Sequence, residues 1–162
     1  MSKAVTLVNT PNKTQNFYPA DDQWILTTLP MKASTAMPDG SAIGVEIVSN
    51  TTTGNNTLMG VENAAGADFV GILAEPIVST DADYATAGKL KSVWIPRTLT
   101  AKAYFTVGAG TFTAVDINKT VEFFSDSKSL AVDTAGKGAR IVSYISATRG
   151  VCVFPMPNTE TA

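Results

Sequence analysis

The chain has 162 residues, of which 44% are hydrophobic and 16% charged, with a net charge of −2. That length suits one domain, or one domain plus an arm, and the apolar content excludes a chain disordered by composition. Lysines and arginines are scattered singly through an acidic chain, which leaves no electrostatic footprint for nucleic acid.

Residues 1–35 read as an extended N-terminal arm. Their start, MSKAVTLVNT, lacks the long apolar run of a signal peptide, and no stretch of the chain approaches the roughly 18 apolar residues of a membrane span. The expected product is therefore soluble, made in a cytoplasm and without a membrane partner. Three prolines exclude a continuous helix across the arm. Its large apolar groups distinguish it from a linker, because Phe17, Tyr18, Trp24, Ile25, Leu26 and Leu29 need to be buried. Either this chain's own sheet or a neighbouring subunit buries them, and Phe17, Tyr18, Trp24, Ile25 and Leu26 are the candidate interface anchors.

Residues 36–157 read as a β-domain. SAIGVEIVS offers Ile43, Val45 and Ile47 as an inward set. LTAKAYFTV places Leu99, Ala101, Ala103, Phe105 and Val107 on one face and Thr100, Lys102, Tyr104 and Thr106 on the other. Further strands are expected at 58–62, 69–74, 90–95, 121–124, 141–145 and 151–154. Turn signals separate them, among them Pro38-Asp39-Gly40, Thr53-Gly54-Asn55, Ala65-Gly66, Ala87-Gly88, Gly108-Ala109-Gly110 and Gly136-Lys137-Gly138, the last read as a hairpin turn. No convincing helix is found, and 82–90 reads as a turn. The fold class is all-β: a small β-barrel or β-sandwich with an extended N-terminal arm. Residues 158–162 form a C-terminal tail.

Chemistry is sparse. The absence of histidine closes the Ser-His-Asp and Cys-His routes to nucleophilic catalysis and the usual zinc sites. Cys152 is the single cysteine, so no intrachain disulfide forms, and GVCVFP makes it a buried strand thiol. Fourteen carboxylates remain for two-carboxylate hydrolysis, but most stand in turns, where Asp bonds nearby backbone amides. DADYATAG, residues 81–88, lacks the third ligand, the glycine and the closing Glu of a calcium loop and reads as a turn. KLKSVWIPR interleaves basic and aromatic residues, which a strand with one wet face explains. No cofactor, metal ligand or catalytic residue is assigned.

Residues 106–155, TVGAGTFTAVDINKTVEFFSDSKSLAVDTAGKGARIVSYISATRGVCVFP, resemble the C-terminal half of small bacteriophage capsid cement, or head decoration, proteins. Val121, Phe123, Asp126, Leu130, Gly136, Gly138, Ala139, Val151 and Val153 occupy the family's pattern positions, and FVGILAEPI at 69–77 is similar to the segment preceding that half. The resemblance implies a small β-barrel or β-tulip that binds the outside of an assembled head and reinforces it. The implied partners are the major capsid protein of the same virion and further copies of this chain, most often as a trimer. The implied location is the outer surface of the virion. A tail, neck or fibre-base component is the near alternative. A carbohydrate-binding adhesin module stacking sugars on Trp24, Trp94 or Tyr104 is the alternative from another class, and an enzyme is the third.

Overall fold

Alternation with period two becomes strand along most of the chain, because a rolled sheet keeps one face dry and the other wet. A computed structural model describes residues 16–49, 56–63 and 68–154. Its strands are β1 (Tyr18–Pro19), β2 (Trp24–Met31), β3 (Ala42–Ser49), β4 (Asn56–Glu62), β5 (Asp68–Leu73), β6 (Lys89–Pro96), β7 (Lys102–Ala109), β8 (Thr120–Phe123), β9 (Leu130–Ala135), β10 (Ala139–Ser146) and β11 (Arg149–Val153). A single 3-10 turn at Ala114–Asp116 is the helical element among the described residues. The chain is all-β and contains a closed β-barrel, in the class expected.

Two rings make up the molecule. The first is a closed barrel in the order β2-β4-β3-β5-β6. The second runs β7-β11-β10-β8-β9, and a parallel β7–β9 pairing closes it. Both have the same wiring. In each, the first strand runs parallel to the third and antiparallel to the fifth, and the second lies between the third and the fourth. The registers also keep step. Ile25–Ile95, Leu26–Trp94 and Thr27–Val93 in the first ring answer to Ala103–Cys152, Tyr104–Val151 and Phe105–Gly150 in the second. The parallel closures Met31–Gly60 and Ala109–Ala131 correspond in the same way. The molecule repeats one five-stranded arrangement twice.

The close parallel contact is possible because one partner is small. A Cβ on Gly60 would lie 2.5 Å from Met31 Sδ, and Met31 is fully buried with nowhere to move. Met31, Met37, Ile43, Leu73, Ile77 and Val93 fill the first ring. Ala103, Phe105, Val121, Leu130, Ile141 and Cys152 belong to the second core, which continues into a seam between the rings.

Aromatic side chains build that seam. Phe154, just after β11, stacks on Phe69 of β5 at a centroid distance of 4.0 Å and lies parallel to Phe123 of β8. Phe17 and Trp24 meet it edge-on. Trp24 Nε1 donates to the Lys102 carbonyl of β7 at 2.9 Å, which ties the first strand of one ring to the first strand of the other. Phe17 is seated by its N–H bonding the Gly40 carbonyl. Gly40 has φ +77° and no room for a side chain, because a Cβ there would meet Asn16 and the Phe17 carbonyl.

Several expectations change. The arm expected over 1–35 does not end at residue 35, because residues 24–31 are a strand of the first ring, closed on both sides by β6 and β4. The region 36–157 is accordingly one full ring plus most of another. Gly136–Gly138 is not a hairpin turn: β9 and β10 both pair with β8, so the turn crosses the end of that strand, and Gly138 N–H bonds the Val121 carbonyl. The turns at 53–55 and 65–66, the tail 158–162 and arm residues 1–15 lie outside the described residues.

Two outcomes follow from the seam and from β2. Phe154→Ala is expected to cost about 3–5 kcal/mol in urea unfolding, the range for a buried aromatic leaving a cavity. A chain beginning at Lys32 is expected to lose the strand signal of the first ring in circular dichroism. A native spectrum from that truncated chain would contradict the ring closure.

Candidate functional site

The five arm residues separate by where their side chains go. Phe17 and Trp24 are buried in the seam, and Tyr18 is half-buried in β1, opposite Tyr104. Ile25 and Leu26 remain 49% and 52% exposed. The structure therefore makes two of the five anchors internal and leaves two for contact outside.

Strand β6 adds to that outer surface by an inversion. In KLKS the alternation sends Lys89 and Lys91 inward and leaves Leu90 63% exposed. The expected wet face for the lysines is therefore wrong for this strand. A buried ammonium needs several oxygen partners. Lys89 Nζ donates to the carbonyls of Lys32 and Tyr84 at 3.1 and 2.7 Å and lies over the Tyr84 ring. Lys91 Nζ stands within 4 Å of Glu75, Asp81 and Asp83, the nearest at 3.3 Å. The connection between β5 and β6 supplies all of these carboxylates. The segment weighed as a calcium loop is thus a turn organised by lysine, with Val78 N–H capped by Asp81.

The outward pairs along β2 and β6 are Leu26–Trp94, Thr28–Ser92 and Pro30–Leu90. Trp94 leans on the seam core, whereas Leu26 and Leu90 face water. On the far side of the same ring Ile47 and Leu58, paired between β3 and β4, are also exposed. Sequence reading placed Ile47 inside; it faces the ring axis but lies beyond the level that Met31 and Ile43 fill. Leu58 and Leu90 were missed as surface residues, although a leucine between two lysines is a readable signal once the lysines have partners.

Elsewhere the ionisable groups serve structure. Asp116 is buried and accepts from Thr113 N–H at 2.8 Å, Thr113 Oγ1 at 3.1 Å and Lys119 Nζ at 2.7 Å. The Lys119 bond, followed by the Thr113 amide, holds its carboxyl below the ordinary Asp range. Cys152 is wholly buried, and burial pushes its thiol well up. Among the described residues no three His, Cys, Asp or Glu side chains gather as a metal site, and no helix is long and apolar enough to cross a membrane. A crevice lined by Phe17, Tyr18, Gly40 and Trp94 at the seam has room for roughly one water molecule.

No protein-family model, curated protein or solved structure matches the chain.

Chelation with EDTA is expected to leave Tm unchanged, because Lys91 already stands as the cation among the carboxylates of the 81–88 turn. A clear drop in Tm on chelation would show a bound cation instead. Asp116 sets an acid limit. Its folded pKa is depressed, so its contribution is complete above the unfolded carboxylate range near pH 4 and fades as pH falls through the lower folded value. Asp116→Asn is expected to lower stability at pH 7 by about 1 kcal/mol, as for a lost cap, and to flatten the decline in acid. Urea midpoints across pH measure both.

Proposed function

We propose that the chain is a non-enzymatic structural protein of a bacteriophage virion, a cement subunit that binds the outside of an assembled head and reinforces its lattice. The observation that carries this reading is the first ring's surface. Lys89 and Lys91 are drawn inward while Leu90, and Leu26 on the neighbouring strand, are left in water on the outer face. A lone exposed leucine is ordinary, but apolar side chains held outward by a strand that buries its own charges suit a docking face. The resemblance of residues 106–155 to cement proteins supports the same role, and the repeated five-stranded arrangement gives each copy two similar bodies with which to span a lattice.

Each leucine covered on docking contributes at most about 1.5–3 kcal/mol, and even a fraction of that, multiplied over a shell, favours the assembled state by mass action. The sugar-binding alternative needs exposed rings. Trp24 is buried, Trp94 packs on the seam, and Tyr104 lies under the Arg149 guanidinium at 4.8 Å.

The test is co-sedimentation of the purified chain with assembled heads and with unassembled shell protein. Saturable binding to heads alone, with a rise in head melting temperature, is the expected result. Leu90→Lys is expected to weaken that binding at least tenfold while leaving the chain's own Tm within a few degrees. Failure to bind heads at all rules the reading out.

A further inference from the structure

The two rings are wired alike, yet among the described residues one edge that is covered in the second is bare in the first. In each ring the first strand meets its parallel neighbour only at its C-terminal end, so the N-terminal halves diverge and leave a notch. In the second ring β1 fills it. Tyr18 pairs with Tyr104 and Pro19 with Ala103, Ala20 N–H bonds the Lys102 carbonyl at 2.8 Å, and Asp21 accepts the Lys102 N–H at 3.0 Å. The residues of β2 that correspond to Ala103 and Tyr104 are Ile25 and Leu26. Among the described residues β2 pairs with β4 only at Met31 and through Lys32 N–H to the Gly60 carbonyl, and no strand pairs along Trp24 to Thr28 on that side.

The backbone of that edge is directed outward. Arg97 N–H bonds the Gln23 carbonyl, which assigns the odd-numbered residues of β2 to the β6 ladder, and Lys32 N–H to Gly60 assigns the even-numbered ones to the β4 side. The N–H and C=O groups of Leu26 and Thr28 therefore point into the notch. Edge strands that stay bare are commonly blunted by charge. WILTTLPM carries none, and Ile25 and Leu26 stand half-exposed beside the open edge.

The filled notch also indicates what fills the open one. β1 leads directly into the first ring but pairs with the second, so a segment preceding one ring occupies the notch of another. Fifteen residues precede Asn16, and extended they reach about 50 Å. They include Ala4–Asn9, AVTLVN, an uncharged run rich in β-branched residues, as an added strand requires.

We propose that the β2 edge from Trp24 to Thr28 is a strand-acceptor site and that residues 4–9 of a second copy of this chain occupy it. Copies exchanging these segments form a closed oligomer when the rotation between them closes. The inference stands on the internal repeat alone and does not depend on the role in a virion.

The experiment uses the full chain carrying Leu26→Cys, coupled to a benzophenone maleimide; Cys152 is buried and stays unlabelled. It is mixed with isotopically heavy wild-type chain and irradiated. The expected product joins light and heavy chains through the tryptic peptide Ala4–Lys13. Adducts to other peptides, adducts within one chain only, or no adduct each overturn the proposal. A second measurement follows self-association by light scattering. Leu26→Lys and Thr28→Pro, which removes an N–H facing the notch, are each expected to weaken it at least tenfold with Tm held within a few degrees. Unchanged association in both folded variants overturns the proposal as well.

Discussion

Phe154 lies where two closed rings meet, and the arrangement of the molecule depends on its ring. A closed barrel pairs most of its backbone within itself, so few backbone bonds join the rings, Ala42 N–H to the Ser127 carbonyl at 2.6 Å among them. What joins these two is apolar surface on their outer faces: Phe69 stacked at 4.0 Å, Phe123 parallel beside it, Phe17 and Trp24 edge-on. Such pairs add about 0.5–1.5 kcal/mol each beyond the area they bury. Trp24 also sends its indole N–H to the Lys102 carbonyl, which gives the seam a direction as well as a driving force. The N-terminal segment is committed to this seam. Phe17 lies in it and β1 lies along its edge, which is why the chain's first aromatics serve the core before they serve any partner.

Legibility in the sequence followed how many faces of a strand were dry. Lys102–Val107 was readable because its odd positions fill the second ring and its even positions are wetter or charged. β2 was not readable as a strand, because Trp24 goes to the seam, Met31 to the ring and Leu26 to water, so neither face is polar enough to show alternation. Pro30 added to the disguise. It is tolerated because its nitrogen faces the β4 side, away from the ladder with β6. β9 escaped notice as a strand because its second half is exposed and the turn after it resembles a hairpin, although β9 and β10 pair with β8 and not with each other. The repeat left no visible period because the connections differ so much: β5 to β6 takes a long loop with a lysine-centred turn, and β10 to β11 a tight one.

Of the candidate site, the residue types were legible and their partition was not. Five large apolar residues close to the N-terminus announce burial, but composition cannot distinguish burial in one's own seam from burial against another molecule. The answer depends on parity along β2. Trp24 and Leu26 share a face, yet the second ring covers one and stops short of the other. That boundary is a property of where Phe154 seats the rings, and no local pattern in WILTTLPM contains it.

The same dependence explains why β6 turns its lysines inward. Lys91 needs carboxylates, and the β5–β6 connection provides Glu75, Asp81 and Asp83 around one mouth of the first ring. Lys89 needs carbonyls, and the ends of β2 and of that connection provide them at Lys32 and Tyr84. With both ammonium groups satisfied, period two leaves Leu90 no choice but the outer face, beside Pro30 and in line with Leu26. The apolar exterior of the first ring is therefore coupled to its polar closure. Removing a lysine's partners would leave a buried ammonium unpaired, whereas replacing Leu90 changes only what the surface offers. A face fixed from behind in this way keeps one shape, which lowers the ordering cost of covering it.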